Sequence, residues 1–407
     1  MLIFIRDLSS PNIANSVASA HLNEENPFEK QGMKFNKHLI KYLPFKDLKE
    51  VRLVNKAMYH AVTNCSSSFQ IWHISLDTKV LPAFFYKEIT DICLEFPEDA
   101  DIEQTWICVT HFLATMKNRI KGLNIKLQDL ISLEEYFDFS CMKVIRIQHR
   151  NSDVPIGFER TKILKMIISK ASSNLQVLGL RNVKFSESEE VDADDMIELQ
   201  HKKYLKLKEI AFDDCGNSNF LLSVINGSSS VLKRLTAHGS DLSYLQKVKN
   251  TMGSLQRLDL KVKGENLQLK SESHSGIMNI LPKCQNLEDL ELNQINLDSA
   301  IPDAMQFPHL RNLQLFNCSG SANQLQFVLQ HVSAKVSKLD IWNCKMLIDK
   351  DFEFFKFPKL EHLSLSGNGT ATLSNIISIA PKLQVSLSRS IILVSKLFEW
   401  IFQGNKN

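Results

Sequence analysis

The residues with reactive side chains are scattered. Eight cysteines and twelve histidines are spread over 407 residues, with no CxC, CxxC or H-E-x-x-H spacing to hold a metal or run a redox couple. No G-x-S-x-G, Walker loop or G-x-G-x-x-G is present, and the nearest glycine cluster, Gly367-Asn368-Gly369, has the composition of a turn. The expectation is therefore a non-catalytic chain without metal or cofactor. Thiols this sparse imply a reducing compartment, cytoplasm or nucleus, where the Asn64-Cys65-Ser66 and Asn317-Cys318-Ser319 sequons carry little weight. Binding chemistry remains. Its candidates are two aromatic residues, Phe316 and Trp342, and three carboxylates, Asp259, Glu291 and Asp340, which are far apart in sequence and need a repeating scaffold to meet.

Such a scaffold is written into the leucines. Residues 1–200 contain 20 leucines and residues 201–400 contain 33. An L-x-x-L-x-L ladder accounts for the excess, clearest at Leu255/Leu258/Leu260, Leu287/Leu290/Leu292, Leu310/Leu313/Leu315 and Leu360/Leu363/Leu365. Softer rungs stand at Leu175, Leu207, Leu232 and Val336. The first positions from Leu175 onward are 32, 25, 23, 32, 23, 26 and 24 residues apart. That spread centres on the leucine-rich-repeat period of roughly 20–29 residues, and the two 32-residue gaps suggest loop insertions. The last two apolar positions of each rung lie two apart, as one buried face of a strand requires. The following stretch switches to helical spacing, as in Leu325, Val328, Leu329 and Val332. A strand and helix of this kind cannot bury their apolar faces alone, so neighbouring units must stack. The expected fold class is α/β: a leucine-rich-repeat solenoid, a horseshoe with parallel strands on its concave face and helices on its convex face. Cys215, Cys318 and Cys344 each follow the last apolar strand residue by three, where a small side chain ends the strand and bonds the turning backbone.

The repeat lines up the binding candidates. One column reads Arg181, Asp213, His238, Lys261, Asn293, Phe316, Trp342 and Ser366, and places the two aromatics on adjacent rungs. Such residues are common anchors at protein interfaces, so the pair is a candidate substrate contact; tucking against neighbouring rungs is the equal alternative. The next column, Thr236, Asp259, Glu291, Gln314, Asp340 and Ser364, carries three carboxylates that would favour a basic substrate segment. Poorer rungs at Ile89/Ile92/Leu94, Ile120/Leu123/Ile125 and Met142/Ile145/Ile147 extend the ladder upstream. The acidic run from Glu187 to Asp195 reads as a solvated loop, and the apolar Ile391–Phe402 stretch as a solenoid cap.

Residues 39–72 have a helical rather than a strand period. Leu39, Ile40 and Leu43 mark one amphipathic turn stopped by Pro44, and Asp47 is placed to cap a second helix bearing Leu48, Val51, Leu53 and Val54. Tyr42-Leu43-Pro44, Asp47-Leu48, Val51-Arg52-Leu53-Val54 with Lys56, and Trp72 together resemble the F-box. Two segments differ from the family pattern: Gln31-Gly32-Met33-Lys34 stands at its opening, and Val54-Asn55-Lys56-Ala57-Met58 at its V-C-K-x-W. The resemblance implies docking on a Skp-type adaptor, and through it a cullin, by Leu39, Leu43, Pro44, Leu48, Val51, Leu53 and Val54. The repeats would then select an unknown protein substrate for an SCF-type ubiquitin ligase, the chain acting as a monomer within that larger complex. A repeat scaffold without ligase association is the alternative. Seven Lys or Arg against two acidic residues over 34–56 would suit an acidic partner, or equally a solvated helix.

The expected organisation is an N-terminal extension at 1–30, an F-box-like helical module at 31–75, irregular early repeats at 76–160, regular repeats at 161–389 and a cap at 390–407. With 48 basic against 45 acidic residues, nucleic-acid binding is not expected. No apolar run approaches the roughly 18 residues of a membrane span, and Arg6-Asp7 interrupts the apolar Met1–Ile5 start, so neither membrane nor signal peptide is expected.

Overall fold

The computed structural model describes residues 72–75, 92–96, 109–110, 112–150, 155–185, 203–216, 218–264, 267–301, 307–344 and 356–366. The chain divides into two compact units, Met1–Trp72 with Phe85–Thr90, and His73–Phe84 with Asp91–Asn407; apart from Trp72, the described residues belong to the second.

Two apolar residues two apart make a strand that can be buried on one side only, and the chain repeats this device along its length. The strands are β1 (Trp72–Ser75), β2 (Ile92–Glu95), β3 (Ile120–Lys126), β4 (Val144–Gln148), β5 (Val177–Arg181) and β6 (Glu209–Asp213). They continue as β7 (Arg234–Gly239), β8 (Arg257–Val262), β9 (Asp289–Asn293), β10 (Asn312–Phe316), β11 (Lys338–Trp342) and β12 (His362–Ser366). Their order in the single sheet is their order in the chain. Every pairing from β2 to β12 is parallel. Each step between parallel neighbours needs a crossover. The result is an α/β solenoid-like fold.

The register stacks like on like. Leu258, Leu290, Leu313 and Leu339 are successive partners, as are Leu260, Leu292, Leu315 and Ile341, and all are buried. Two such side chains per rung contribute roughly 3–6 kcal/mol relative to exposure. An isolated rung would gain none of it, because neighbouring rungs supply the covering atoms. Upstream, Leu94, Leu123, Ile125, Met142, Ile145 and Ile147 are buried in the same manner, so β2 to β4 fall where the poorer ladder predicts them. The irregularity there is visible too, as a register shift between Ile92 and Cys93 opposite β3. One boundary differs from expectation: Trp72–Ser75, assigned by sequence to the close of a helical module, is the strand β1. Its aromatic and β-branched Trp-His-Ile composition suits a strand.

The strand ends repeat as well. Asn182, Asp214, Gln294, Asn317 and Asn343 each directly follow a strand with φ between 49° and 59°. Asn and Asp tolerate this left-handed turn better than most residues. One residue later, the Cys215 thiol donates to the Leu180 carbonyl at 3.2 Å, Cys318 to Leu292 at 3.3 Å and Cys344 to Leu315 at 3.5 Å. These three thiols also bond their own turning backbone, at Asp213, Phe316 and Trp342, as their spacing predicts; the tie to the preceding rung is additional, and burial pushes the Cys215 thiol up to about 12.

The crossovers are α1 (Leu127–Leu133), α2 (Phe158–Ala171), α3 (Asn219–Ser228), α4 (Leu267–Ile280), α5 (Leu297–Ala300) and α6 (Ala322–Val332), with 3-10 turns such as Ser243–Lys247. From α3 onward contacts run from one crossover to the next: α3 to the 3-10 turn, that turn to α4, α4 to α5 and α5 to α6. Side-chain oxygens cap α3, α5 and α6: Ser218 accepts from Phe220 N, Asn296 from Asp298 N, and Ser321 from Gln324 N. On α6 the helical spacing is realised, with Leu325, Val328, Leu329 and Val332 all buried.

The 32-residue gap between Leu255 and Leu287, expected to hold a loop insertion, instead holds the 14-residue helix α4. Its docking explains why: Ser273 Oγ accepts from Leu242 N at 2.9 Å, and a Cβ on Gly276 would lie 2.6 Å from the Leu242 carbonyl oxygen. Only glycine lets the helix approach this closely. The other long gap falls largely on residues 186–202, outside those described, as does the acidic run within it.

Candidate functional site

The polar face of the sheet arises from the same alternation that builds the core. In β8, β9 and β10 buried and part-exposed residues alternate, and the part-exposed set is polar or aromatic. Parallel sheets usually read as continuous apolar runs because both faces are covered. Here the part-exposed face of β8, β9 and β10 is mostly polar, and that leaves a surface with chemistry of its own.

Both sequence-predicted columns exist as registered neighbours. Asp213, His238, Lys261 and Asn293 pair in succession, followed by Phe316 and Trp342. Thr236, Asp259, Glu291, Gln314 and Asp340 pair in the same way. The Phe316 and Trp342 rings meet at a centroid separation of 6.5 Å and an interplanar angle of 52°, the tilted geometry that aromatic pairs favour. Trp342 is 39% exposed, and among the described residues it is the exposed large hydrophobic residue of the sheet. Asn317 N donates to the Trp342 carbonyl at 2.8 Å, and the adjacent turns are linked by side chains: Asn343 Nδ2 donates to Asn317 Oδ1 at 2.8 Å, and Asn317 Nδ2 to Asn293 Oδ1 at 3.4 Å. This amide ladder runs directly beside the aromatic pair, so the rings sit on a fixed frame.

The carboxylate column differs from a bare acidic stripe, because each acid has a partner within the chain. Asp259 Oδ1 lies 2.8 Å from His238 Nε2. Asp340 accepts from Gln314 Nε2 at 2.8 Å and lies 2.9 Å from Lys338 Nζ. Glu291 faces Arg257 at 3.7 Å. Burial, then the neighbouring Asp259 charge, raises the Glu291 carboxyl above its ordinary range, against the pull of Arg257, His238 and Lys338. Asp259 and Glu291 are adjacent, whereas Asp340 stands two rungs away across Gln314. At one end of the face Lys263 Nζ bridges Asp213 at 2.6 Å and Asp214 at 2.7 Å. The free negative charge expected to attract a basic segment is therefore largely compensated, and exposed Trp342 with its part-buried neighbour Phe316 is the more distinctive feature.

Of the partners that sequence reasoning passed over, Lys338 had a readable signal, because it lies two residues before Asp340 and so shares its strand face. Arg257, which faces Glu291 on the next strand, and the Lys263 bridge had none, because both require the rung-to-rung register. Leu39, Leu43, Pro44, Leu48, Val51, Leu53 and Val54 lie outside the described residues, as does the Ile391–Phe402 stretch. Among the described residues, no helix is long and apolar enough to cross a membrane. No protein-family model matches the chain.

Proposed function

We propose that this chain is a leucine-rich-repeat substrate receptor, in which the polar face of the sheet binds a protein and the F-box-like segment at 31–75 docks on a Skp-type adaptor. The assignment of the repeat family rests on the period, the stacked leucines and the recurring thiol-to-carbonyl bond at the strand ends. The horseshoe form belongs to the same proposal. The observation that carries the binding role is the Phe316–Trp342 pair, an exposed Trp342 beside a part-buried Phe316 on a registered frame. The adaptor role rests on the resemblance of residues 42–56, with Trp72, to the F-box. The mechanism is proximity: a receptor that grips a substrate raises the effective concentration of its lysines at a ligase whose other subunits do the chemistry.

Co-purification with a Skp-type adaptor tests the ligase half of this reading. Wild-type chain retains the adaptor, and Leu43→Asp and Pro44→Ala lose it. Wild-type chain that retains none would leave the alternative, a repeat scaffold using the same sheet face without ligase association.

A further inference from the structure

The edge of the sheet where the strands begin carries a second surface, unlike the polar face in chemistry. A groove of about 560 Å³ runs along the turns that lead into β7–β12. Lys233, Arg311, Lys335, Lys359 and His309 line it, with Glu288 as its carboxylate. Glu288 is engaged by Gln256 Nε2 at 3.3 Å. Among the described residues, the side chains of Lys233, Arg311, Lys335 and Lys359 form no hydrogen bond or ion pair, and all four are exposed. The compensation that neutralises the polar face is missing here.

The backbone beneath is unusually well fixed. The residue before each strand offers one carbonyl to two successive N–H groups of the next rung. Lys233 O accepts from Gln256 N at 2.9 Å and Arg257 N at 3.0 Å. Glu288 O accepts from Arg311 N at 2.8 Å and Asn312 N at 3.0 Å, and Arg311 O from Ser337 N at 2.7 Å and Lys338 N at 3.1 Å. Arg311, Lys335 and Lys359 therefore lead into three successive strands of a rigid edge, and Lys233 stands three rungs before Arg311, beyond Gln256 and Glu288. Five rung steps separate β7 from β12, which at about 4.8 Å each is roughly 24 Å, the reach of about seven extended residues.

We propose that this edge docks an extended acidic segment of a partner polypeptide. Four uncompensated cations on one edge, three of them leading into successive strands, suit a carboxylate-rich segment, and desolvating them against a free partner costs less than breaking existing ion pairs. The lining is polar, so recognition is electrostatic rather than apolar. It contains no Phe, Tyr or Trp on which bases would stack, which disfavours a single-stranded nucleic acid. The edge is a different surface from the Phe316–Trp342 face, and the proposal does not depend on the receptor reading.

The test uses the full-length chain and a fluorescein-labelled peptide of about ten glutamates, long enough to span the edge, with fluorescence anisotropy as the readout. Wild-type chain binds it, and added salt weakens binding as screening shortens the reach of the charges. Arg311→Glu with Lys335→Glu weakens binding about tenfold or more, as two reversals at a few ångströms require. Arg160→Glu with Lys162→Glu on α2 changes net charge equally and leaves binding within about twofold. Both pairs are exposed, and unchanged thermal melts confirm intact folds. Arg311→Gln with Lys335→Gln gives an intermediate loss. Equal weakening by the two reversal pairs, absence of peptide binding at low salt, or tighter binding of a ten-nucleotide single-stranded RNA than of the peptide overturns the proposal.

Discussion

Replacing Trp342 by alanine distinguishes a surface aromatic from a core one, and the structure sets the size of the effect. Trp342 is 39% exposed, so about three-fifths of its surface is covered. On a side chain of about 250 Å² that is roughly 150 Å², of which alanine would still cover about a third. The lost burial of about 100 Å² corresponds to about 2.5 kcal/mol at 25 cal/mol per Å², an upper figure because the unfolded chain already hides part of it. No cavity term is added, since the site opens to water. A fully enclosed aromatic would instead cost about 3–5 kcal/mol. The tilted contact with Phe316 adds a coupling of about 1 kcal/mol. Phe316→Ala with Trp342→Ala should therefore cost about 1 kcal/mol less than the sum of the singles, and the double variant should remain folded. Urea unfolding followed by far-ultraviolet circular dichroism measures all three, with m unchanged if the compactness of the two states is unchanged. A loss well above about 3.5 kcal/mol for Trp342→Ala alone, the sum of the burial and pair terms, or an unfolded double variant, would refute the placement of the pair on an accessible face.

Two other expectations follow from the geometry. Gly276→Ala should lower the urea midpoint despite the roughly 1 kcal/mol that alanine gains in a helix, because its Cβ would sit 2.6 Å from the Leu242 carbonyl oxygen; a raised midpoint would mean that α4 docks more loosely. Glu291→Gln should stabilise the protein at neutral pH. A carboxyl whose folded pKa is raised contributes stability below its unfolded value and loses it as pH rises through the folded value, so the benefit of glutamine should shrink as pH falls towards about 4 and be absent below it. A benefit that grew on acidification would reverse that sign.

How much of this architecture can be read from sequence depends on whether the determining contact is local or lies between rungs. Leu258 and Leu260 mark their strand directly, because the two-residue period is also the period of burial, and their columns follow once the repeat is aligned. The thiol slot of Cys215, Cys318 and Cys344 is equally legible, since its spacing from the strand is constant. The helix α4 is not. Its sequence from Ser271 to Gly276 is rich in serine and glycine, weak helix formers, and it is held by Ser273 and Gly276 against Leu242 of the neighbouring rung. The compensation of the carboxylates is half legible: Lys338 and Asp340 share a strand face, whereas His238 and Asp259 meet only across the register. The basic edge is the least legible, because Lys335 and Lys359 sit in turns whose alignment exists only once the rungs are stacked.

The central claim is that the polar face captures a protein and that the N-terminal segment serves a separate purpose. It is tested most directly by in-cell crosslinking and quantitative mass spectrometry of three full-length chains: wild type, Leu43→Asp, and Phe316→Ala with Trp342→Ala. The account predicts at least one protein crosslinked by wild type, retained and more abundant with Leu43→Asp, and lost with the double aromatic variant although that variant still carries the Skp-type adaptor. A set of captured proteins unchanged by loss of both aromatics, in a chain shown to be folded, would contradict it.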